Sequence, residues 1–248
     1  MITIKSAKQI EKMRASAKIA KEAVDLIEKA IRPGVSTAYI DTIAHDYIGS
    51  KGARPNFLNY GGFPGSICAS VNDEVVHGIP SKHIILQEGD IISIDMGAVL
   101  DGWHSDMART FGVGKISPEA QQLIDVTKQS FFEGLKFLKH GARLGDVSHA
   151  IQEYAESFGY GVVRDLVGHG IGQNLHEDPS VPNFGKAGHG VRLAAGMTLA
   201  IEPMITAGTY KVSVLDDDWT VVTDDGSLAA HYENTVVITK DGYEILTL

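Results

Sequence analysis

Apolar residues recur every three to four positions at the start of the chain, which predicts an amphipathic helix over residues 6–31. Ser6 and Gln9 fit a capping box at its start, and Pro33-Gly34 ends it. Similar signals predict further helices over residues 37–50, 117–139 and 146–158. Apolar runs and apolar–polar alternation predict strands over residues 66–71, 75–77, 91–96, 106–111, 161–167, 197–202, 219–223 and 231–238.

The two halves of the chain repeat one another in order. A Leu, a Gly and an Ile precede an acid at the same spacing in both halves, and a His-Gly-Ile tripeptide also recurs. The matched stretches are residues 86–95 with 193–202, 77–79 with 169–171, and those that begin at Gly34 and Gly141. We therefore predict an α/β (α+β) fold with two duplicated halves, roughly 1–115 and 116–248, related by pseudo-two-fold symmetry within a single domain.

Composition narrows the class of protein. With 248 residues, 44% apolar and 21% charged, the chain is typical of soluble globular proteins and not of disordered ones. A net charge of −9 argues against a specific nucleic-acid partner. Cys68 is the only cysteine, which excludes an intrachain disulfide, and the first thirty residues contain no signal peptide or membrane span. We expect a cytoplasmic protein with no membrane partner, and nothing in the sequence demands more than a monomer.

Five potential metal ligands carry most of the chemical information. Each lies next to a strand-like apolar run, and none is a cysteine. They are Asp95, Asp106, His169, Glu202 and Glu233. Oxygen ligands with one imidazole suit divalent Mn, Fe, Co or Zn. Four carboxylates are too many for one tetrahedral zinc and favour two ions that share bridging carboxylates, a device of hydrolases.

Hairpin geometry relates the first two acids. Asp101-Gly102 is a strong two-residue turn signal, and centring a hairpin there places Asp95 opposite Ala108 and Asp106 opposite Gly97. The two aspartates are then diagonal neighbours on one face of the sheet. The alternative is a pair of solvated strand aspartates, but Asp95 directly follows an apolar run, which favours a ligand.

The remaining candidates rest on local context. Glu202 ends one apolar strand and Glu233 begins another, and burial of such acids is costly unless they are paired or bind metal. A simple salt bridge is the alternative for both. His169 lies among glycines, which allow close approach to a ligand. His77 and His176 are candidates to contact substrate or a developing oxyanion, with a structural role equally favoured at this point.

Other chemistries find little support in the sequence. It contains no phosphate-binding loop with Lys, no dinucleotide fingerprint and no Gly-x-Ser-x-Gly elbow. Cys68 has apolar neighbours, which favours a core cysteine over a nucleophile. The other histidines are expected to be structural or solvent-facing: His45, His83, His104, His140, His149, His189 and His231.

Across its whole length the sequence resembles type I methionine aminopeptidases of the pita-bread metallopeptidase family, in their compact bacterial form. The resemblance is carried by residues 72–80, 94–97, 105–111, 168–172, 176–179, 201–203 and 232–235. It implies a central antiparallel sheet covered by helices, a pair of divalent ions held by the five ligands above, and removal of initiator Met from nascent polypeptides when the second residue is small. His77 and His176 match the family's two substrate-facing histidines.

The resemblance also implies a methionine pocket and a mechanism. The pocket would be lined by Phe57, Tyr60, Phe63, Cys68, His77, Leu175 and Trp219. Phe57 replaces a Cys of many bacterial members and Leu175 a frequent Phe, so the shape of the pocket is expected to differ. Water bridging the two ions would attack the Met carbonyl, with Glu202 as general acid and base. His176 would stabilise the tetrahedral oxygen, and His77 would hold the scissile nitrogen.

Two alternatives remain within this fold. Aminopeptidase P or prolidase would act before Pro, but such enzymes usually add an N-terminal domain. Non-catalytic binding proteins of the fold have lost ligands, whereas all five are present here. The lysines on one face of the first helix (Lys8, Lys12, Lys18 and Lys21) favour a solvated surface, and transient contact with the ribosome is the other interpretation.

Overall fold

The computed structural model describes all residues from 1 to 248. Its four helices are α1 (Ala7–Ala30), α2 (Thr37–Ser50), α3 (Pro118–Leu135) and α4 (Leu144–Glu156). Gln9 accepts a hydrogen bond from the backbone of Ser6, as the predicted capping box requires. Ser36 and Ser117 cap α2 and α3. No helix combines the length and apolar character needed to cross a membrane.

The strands form one large sheet and two small ones, and every pairing is antiparallel. In chain order they are β1 (Arg54–Pro55), β2 (Cys68–Val71), β3 (Glu74–Val76), β4 (Ile91–Leu100), β5 (Trp103–Gly112), β6 (Gly161–Val162), β7 (Gly168–Gly170), β8 (Glu177–Val181), β9 (Thr198–Ile201), β10 (Met204–Thr206), β11 (Val212–Val214), β12 (Val221–Thr223), β13 (Ala229–His231), β14 (Glu233–Ile238) and β15 (Tyr243–Ile245). The large sheet has the order β1-β4-β5-β14-β9-β7-β8, with β2 beside β4 and β15 beside β14. The small sheets are β13-β10-β6 and β11-β12-β3.

Two apolar cores separate the helices from the large sheet. One joins α1 and α2 to β4 and β5, and the other joins α3 and α4 to β9 and β14. Ile94 and Met96 of β4 point into the first core, so the intervening Asp95 points to the opposite face of the sheet. The face that carries the acids is therefore the one turned away from these helices.

The predicted repeat has a counterpart in backbone hydrogen bonds. The amide of Gly34 donates to the carbonyl of Leu86 and the amide of Leu86 to Val35, at 2.8 and 2.9 Å. The amide of Gly141 donates to Leu193 and that of Leu193 to Ala142, both at 2.9 Å. The same small bridge thus precedes the acid-bearing strand twice, as a duplicated unit requires. The division at residues 115 and 116 stays a prediction.

Several element boundaries differ from those expected. The third helix ends at Leu135 instead of continuing to residue 139, and the fourth begins at Leu144, two residues early. The strand expected over 161–167 covers only Gly161–Val162. The strand expected over 231–238 is interrupted at Tyr232, whose amide donates to the carbonyl of Pro203 outside the large sheet.

Candidate active site and metal centre

The five candidate ligands come from five strands that are neighbours in the large sheet. Asp95 lies on β4, Asp106 on β5, Glu233 on β14 and His169 on β7, while Glu202 directly follows β9. These strands are adjacent in the order β4-β5-β14-β9-β7. Each strand therefore supplies one donor to a continuous row across the sheet.

Strand register turns these donors to the same face. Ala108 pairs with Asp95 on one side and with Glu233 on the other. Asp106 lies two residues before Ala108, so its side chain points the same way. The predicted hairpin register, with Asp95 opposite Ala108 and Asp106 opposite Gly97, is confirmed.

Three of the five side chains approach most closely. Asp106, His169 and Glu233 offer donor atoms that all lie within 4.8 Å of one another. Nε2 of His169 is 3.7 Å from Oδ2 of Asp106 and 3.7 Å from Oε1 of Glu202. Nδ1 of His169 donates to the carbonyl of Gly170 at 2.8 Å, which leaves Nε2 free to bind a cation. Asp95 lines the same cavity beside this group.

The burial of the acids and their lack of hydrogen-bond partners indicate whether a cation fits the site. Oδ1 of Asp95, Oδ1 of Asp106 and Oε1 of Glu233 are buried and have no hydrogen-bond partner. Burial raises the pKa of Asp95 to about 7. Burial and neighbouring carboxylates also raise the pKa values of Asp106, Glu202 and Glu233. Clustered acids with unpaired oxygens are costly unless a cation neutralises them, so this donor set fits divalent metal.

The histidines of the site are neutral near pH 7. Burial, and next the nearby His176, lower the pKa of His169 to about 4. Burial also lowers the pKa values of His77 and of His176, although His176 keeps an exposed edge. His77 has a φ of 61°, an uncommon left-handed conformation for a non-glycine residue that often marks functional sites. Neutral rings can bind metal or donate a hydrogen bond without adding charge.

A cavity of about 160 Å³ brings all thirteen predicted site residues together. A cavity of similar volume in another protein holds one benzene molecule, so this one accommodates a single apolar side chain. Its lining residues are Phe57, Tyr60, Phe63, Cys68, His77, Asp95, Asp106, His169, Leu175, His176, Glu202, Trp219 and Glu233.

The apolar wall of the cavity is built from aromatic rings and one thiol. Trp219 packs edge-to-face on Phe63, with ring centroids 5.1 Å apart. Cys68 pairs with Asp95 across β2 and β4, which brings its thiol beside the acids. Burial and then the charge of Asp95 raise the pKa of Cys68, so it remains a neutral thiol. Aromatic and sulfur groups suit a thioether side chain.

His231 was expected to be structural or solvent-facing, and the structure places it behind Glu202. It is 1% exposed, its two ring nitrogens have no hydrogen-bond partner, and Nε2 lies 3.8 Å from Oε2 of Glu202. The available signal was its position two residues before Glu233, since period-two alternation turns both side chains to one face.

Arg109 supports the strand that carries Glu233. Its guanidinium donates to the carbonyl of Glu233 and to Oδ1 of Asn234 at 2.5 and 2.7 Å, and it lies over the ring of Tyr232 at 4.4 Å. A buried guanidinium with these partners fixes the backbone at the ligand without touching the cavity.

Comparison with known proteins agrees with this geometry. The model of metallopeptidase family M24 matches residues 11–240. A methionine aminopeptidase from Clostridium acetobutylicum is 60% identical over 248 residues, covering 100% of this chain and 99% of that protein. The crystal structure of methionine aminopeptidase from Rickettsia prowazekii matches with a TM-score of 0.98 at 45% identity, covering 100% of both chains.

A more distantly related structure has the same fold. Prolidase from Pyrococcus horikoshii matches with a TM-score of 0.80 at 23% identity, covering 99% of this chain but 63% of that one, and shows the fold alone. Three observations indicate the same family: the antiparallel sheet, the buried Asp/His/Glu cluster and the relatives that match over the full length. The chain therefore belongs to metallopeptidase family M24 and, within it, to the methionine aminopeptidases.

Proposed function

We propose that this protein is a metal-dependent aminopeptidase that removes the N-terminal methionine of polypeptides whose second residue is small. The observation that carries the proposal is the single cavity in which five candidate metal ligands, two neutral histidines and an apolar wall meet. Its volume fits one apolar side chain, and its aromatic and sulfur lining suits methionine.

The proposed cofactor is a pair of divalent ions from the group Mn, Fe, Co and Zn. Asp95, Asp106, His169, Glu202 and Glu233 would hold them. When bound, such ions polarise a carbonyl oxygen and lower the pKa of water toward neutrality. Four carboxylates and one imidazole exceed the needs of one tetrahedral ion, which supports two.

Glu202 is proposed to carry the proton during hydrolysis. A carboxylate oxygen takes the proton from the attacking water and later delivers it to the nitrogen of the leaving amine. Its side chain is 14% exposed, against 4% for Asp106, so it has the better access to a bound substrate.

His176 is proposed to stabilise the oxygen of the tetrahedral intermediate. The hydroxyl of Tyr60 lies 2.7 Å from Nδ1 of His176. When that hydroxyl donates to Nδ1, the ring proton is on Nε2, which can then donate to the developing oxyanion. His77, neutral because burial lowers its pKa, holds the scissile nitrogen by a hydrogen bond.

One peptide assay tests the proposal. The purified protein, loaded in turn with Mn, Fe, Co or Zn, is expected to release Met from Met-Ala-Ser much faster than from Met-Leu-Ser. Chelation should abolish release. Equal rates for the two peptides would refute the second-residue rule, and cleavage of Ala-Pro but not Met-Ala peptides would favour the prolidase alternative.

Partners and location complete the proposal. The substrates would be newly made polypeptides, so the enzyme is proposed to act in the cytoplasm, as a monomer. Three of the four α1 lysines, Lys8, Lys12 and Lys18, are exposed, while Lys21 pairs with Asp25. Transient ribosome contact through this face is a further hypothesis, and co-sedimentation with ribosomes would test it.

A further inference from the structure

The N-terminal segment, residues 3–5, contacts the loop that carries His176. This loop, residues 171–176, connects β7 to β8, and its last residue directly precedes Glu177. The segment is remote in sequence, so its contacts with the loop are tertiary. Nothing in the proposed mechanism uses it.

A buried ion pair joins the two. Nζ of Lys5 donates to Oε2 of Glu177 at 2.7 Å, and the hydroxyl of Thr3 donates to the same oxygen at 2.7 Å. The side chains of Lys5 and Glu177 are 4% and 9% exposed. Removing one partner of such a pair strands the other charge, which makes the pair a strong constraint on its surroundings.

Glu177 transmits this constraint into the loop. Its other oxygen, Oε1, accepts the backbone amide of Asn174 at 3.1 Å. Asn174 in turn accepts the amide of Gly172 at 3.0 Å through its carbonyl. Burial alone would raise the pKa of Glu177, but the hydrogen bonds from Lys5, Thr3 and Asn174 lower it, so the carboxylate stays charged.

The stem of Lys5 also fits the loop sterically. A Cβ at Gly172 would lie 2.6 Å from Cε of Lys5, so the lysine occupies space that a side chain there would need. The backbone amide of Lys5 donates to the carbonyl of Gly196 at 2.8 Å. Lys5 is therefore held by the turn before β9 while its side chain holds the loop.

We propose that Lys5 is a positioning residue that acts through Glu177 to hold His176 in its catalytic place. This inference rests on the proposed role of His176. Contacts on its ring come from Tyr60, which is 45% exposed, and from His169, whose ring centroid lies 4.2 Å away. The buried pair acts instead on the backbone of the loop, so it supports His176 independently of these ring contacts.

Lys5→Met tests the inference. Without the cation, Glu177 is expected to move toward solvent and to release the amide of Asn174. We expect kcat for Met-Ala-Ser to fall by about ten- to a hundredfold. KM and the affinity for divalent metal, measured by calorimetry, should change less than about twofold, because no lining residue of the cavity is altered. Lys5→Arg should restore most of the lost rate.

Controls separate positioning from general damage. Lys8 is exposed and forms no ion pair, so Lys8→Met should behave as the parent protein. If Lys5 acts through Glu177, the double variant Lys5→Met/Glu177→Gln should be no slower than Glu177→Gln alone. Additive losses, an equal loss in Lys8→Met, or a loss of metal affinity that parallels the loss of rate would overturn the inference.

A second measurement does not depend on turnover. Amide hydrogen exchange at Asn174 should accelerate in Lys5→Met, and also in the milder Thr3→Val if the first variant does not fold. Unchanged exchange in a folded variant would refute the link. If the parent protein released no Met, the proposed function would fail, and faster exchange at Asn174 would still establish the link to the loop.

Discussion

Glu202 differs from the other three acids in its surroundings. It lies just past the end of β9, between Nε2 of His169 at 3.7 Å and Nε2 of His231 at 3.8 Å. The other acids lie within strands. A carboxylate at a strand end, between two neutral imidazoles, has more freedom to meet substrate than one fixed by a ladder on both sides. This difference is consistent with the roles proposed above, in which Glu202 transfers the proton and the other acids only bind metal.

Glu202→Gln is expected to abolish most turnover while the protein stays folded. The amide keeps the size of the side chain but can neither accept a proton at neutral pH nor match a carboxylate as a ligand. We expect kcat for Met-Ala-Ser to fall by at least about a hundredfold. Exposed Glu153→Gln on α4 is the matched control. Undiminished hydrolysis by Glu202→Gln would refute the proton-transfer role.

Tyr60→Phe isolates the hydrogen bond to His176. The ring remains as a wall of the cavity, so KM should change little. Loss of one neutral hydrogen bond corresponds to about three- to tenfold in kcat. Tyr39→Phe, at another exposed tyrosine, should have no effect. A rise in KM with unchanged kcat would instead assign the hydroxyl to substrate binding.

The histidines differ in how well the sequence predicts their positions and roles. His169 could be chosen from its glycine neighbours, and the roles of His77 and His176 came only from the family resemblance. The alternation of residues 231 and 233 could have indicated His231, but nothing in the sequence predicts that Glu202 lies 3.8 Å from its ring. Lys5 was missed because an isolated lysine near a helix start is normally solvated, and its partner Glu177 is remote in sequence.

At the scale of elements, the hairpin of β4 and β5 determines where two of the acids lie. Gly97 lies opposite Asp106, and it leaves room for Asn56, whose amide donates to the carbonyl of Ser105 at 2.6 Å. Nδ1 of His104 lies 2.9 Å from Oδ1 of the same asparagine. The small residue Gly97 therefore leaves room for Asn56 to link Ser105 and His104 by hydrogen bonds beside Asp106.

Gly97→Ala is expected to disrupt these hydrogen bonds of Asn56. An added Cβ would lie 2.1 Å from the carbonyl oxygen of Ser105 and 2.2 Å from Nδ2 of Asn56. We expect a loss of about 1–3 kcal/mol in the free energy of unfolding and weaker metal binding. Gly49→Ala in α2 meets nothing within 4 Å and should be neutral or stabilising by up to about 1 kcal/mol. Denaturant titration of both variants would decide.

The hairpin was predictable because Asp101-Gly102 fixes its register, and φ angles of 50° and 75° there confirm the turn. The strands β1, β7, β8, β10, β11 and β15 were not predicted. All but β8 have two or three residues, which carry too little periodicity to distinguish a strand from a loop. Val163, Leu166 and Val167 suggested a continuing strand, but Arg164 and Asp165 interrupt the apolar run. Only the backbone amide of Val163 finds a partner, the carbonyl of Met204.

At the scale of the whole molecule, the acids oppose the stability that the two cores provide. Acids whose pKa is raised in the folded state stabilise it most below their unfolded pKa, and that contribution is lost as pH rises through the folded value. Asp95, at about 7, lies within the accessible range. His169 and His231, whose pKa values burial lowers to about 4 and about 3, act only below about pH 6.5.

The metal-free protein is therefore expected to lose stability as pH rises toward and through about 7, the folded pKa of Asp95. Above about pH 6.5 the histidines are neutral in both states, so the change there isolates the acids. Saturating Mn should remove most of the slope, because a bound cation favours the charged carboxylates. Melting temperatures with and without chelator would measure it, and parallel slopes would contradict the placement of the acids around a cation.

The row of donors across β4, β5, β14, β9 and β7 has a consequence for synthesis and assembly. In chain order the first donor is Asp95 and the last is Glu233, and β14, which contains Glu233, lies between β5 and β9. A growing chain therefore cannot complete its ion-binding centre until its final strands have left the ribosome and entered the middle of the sheet. Capture of metal would report the closing event of maturation, and a truncated chain would be inert however well its first hairpin formed.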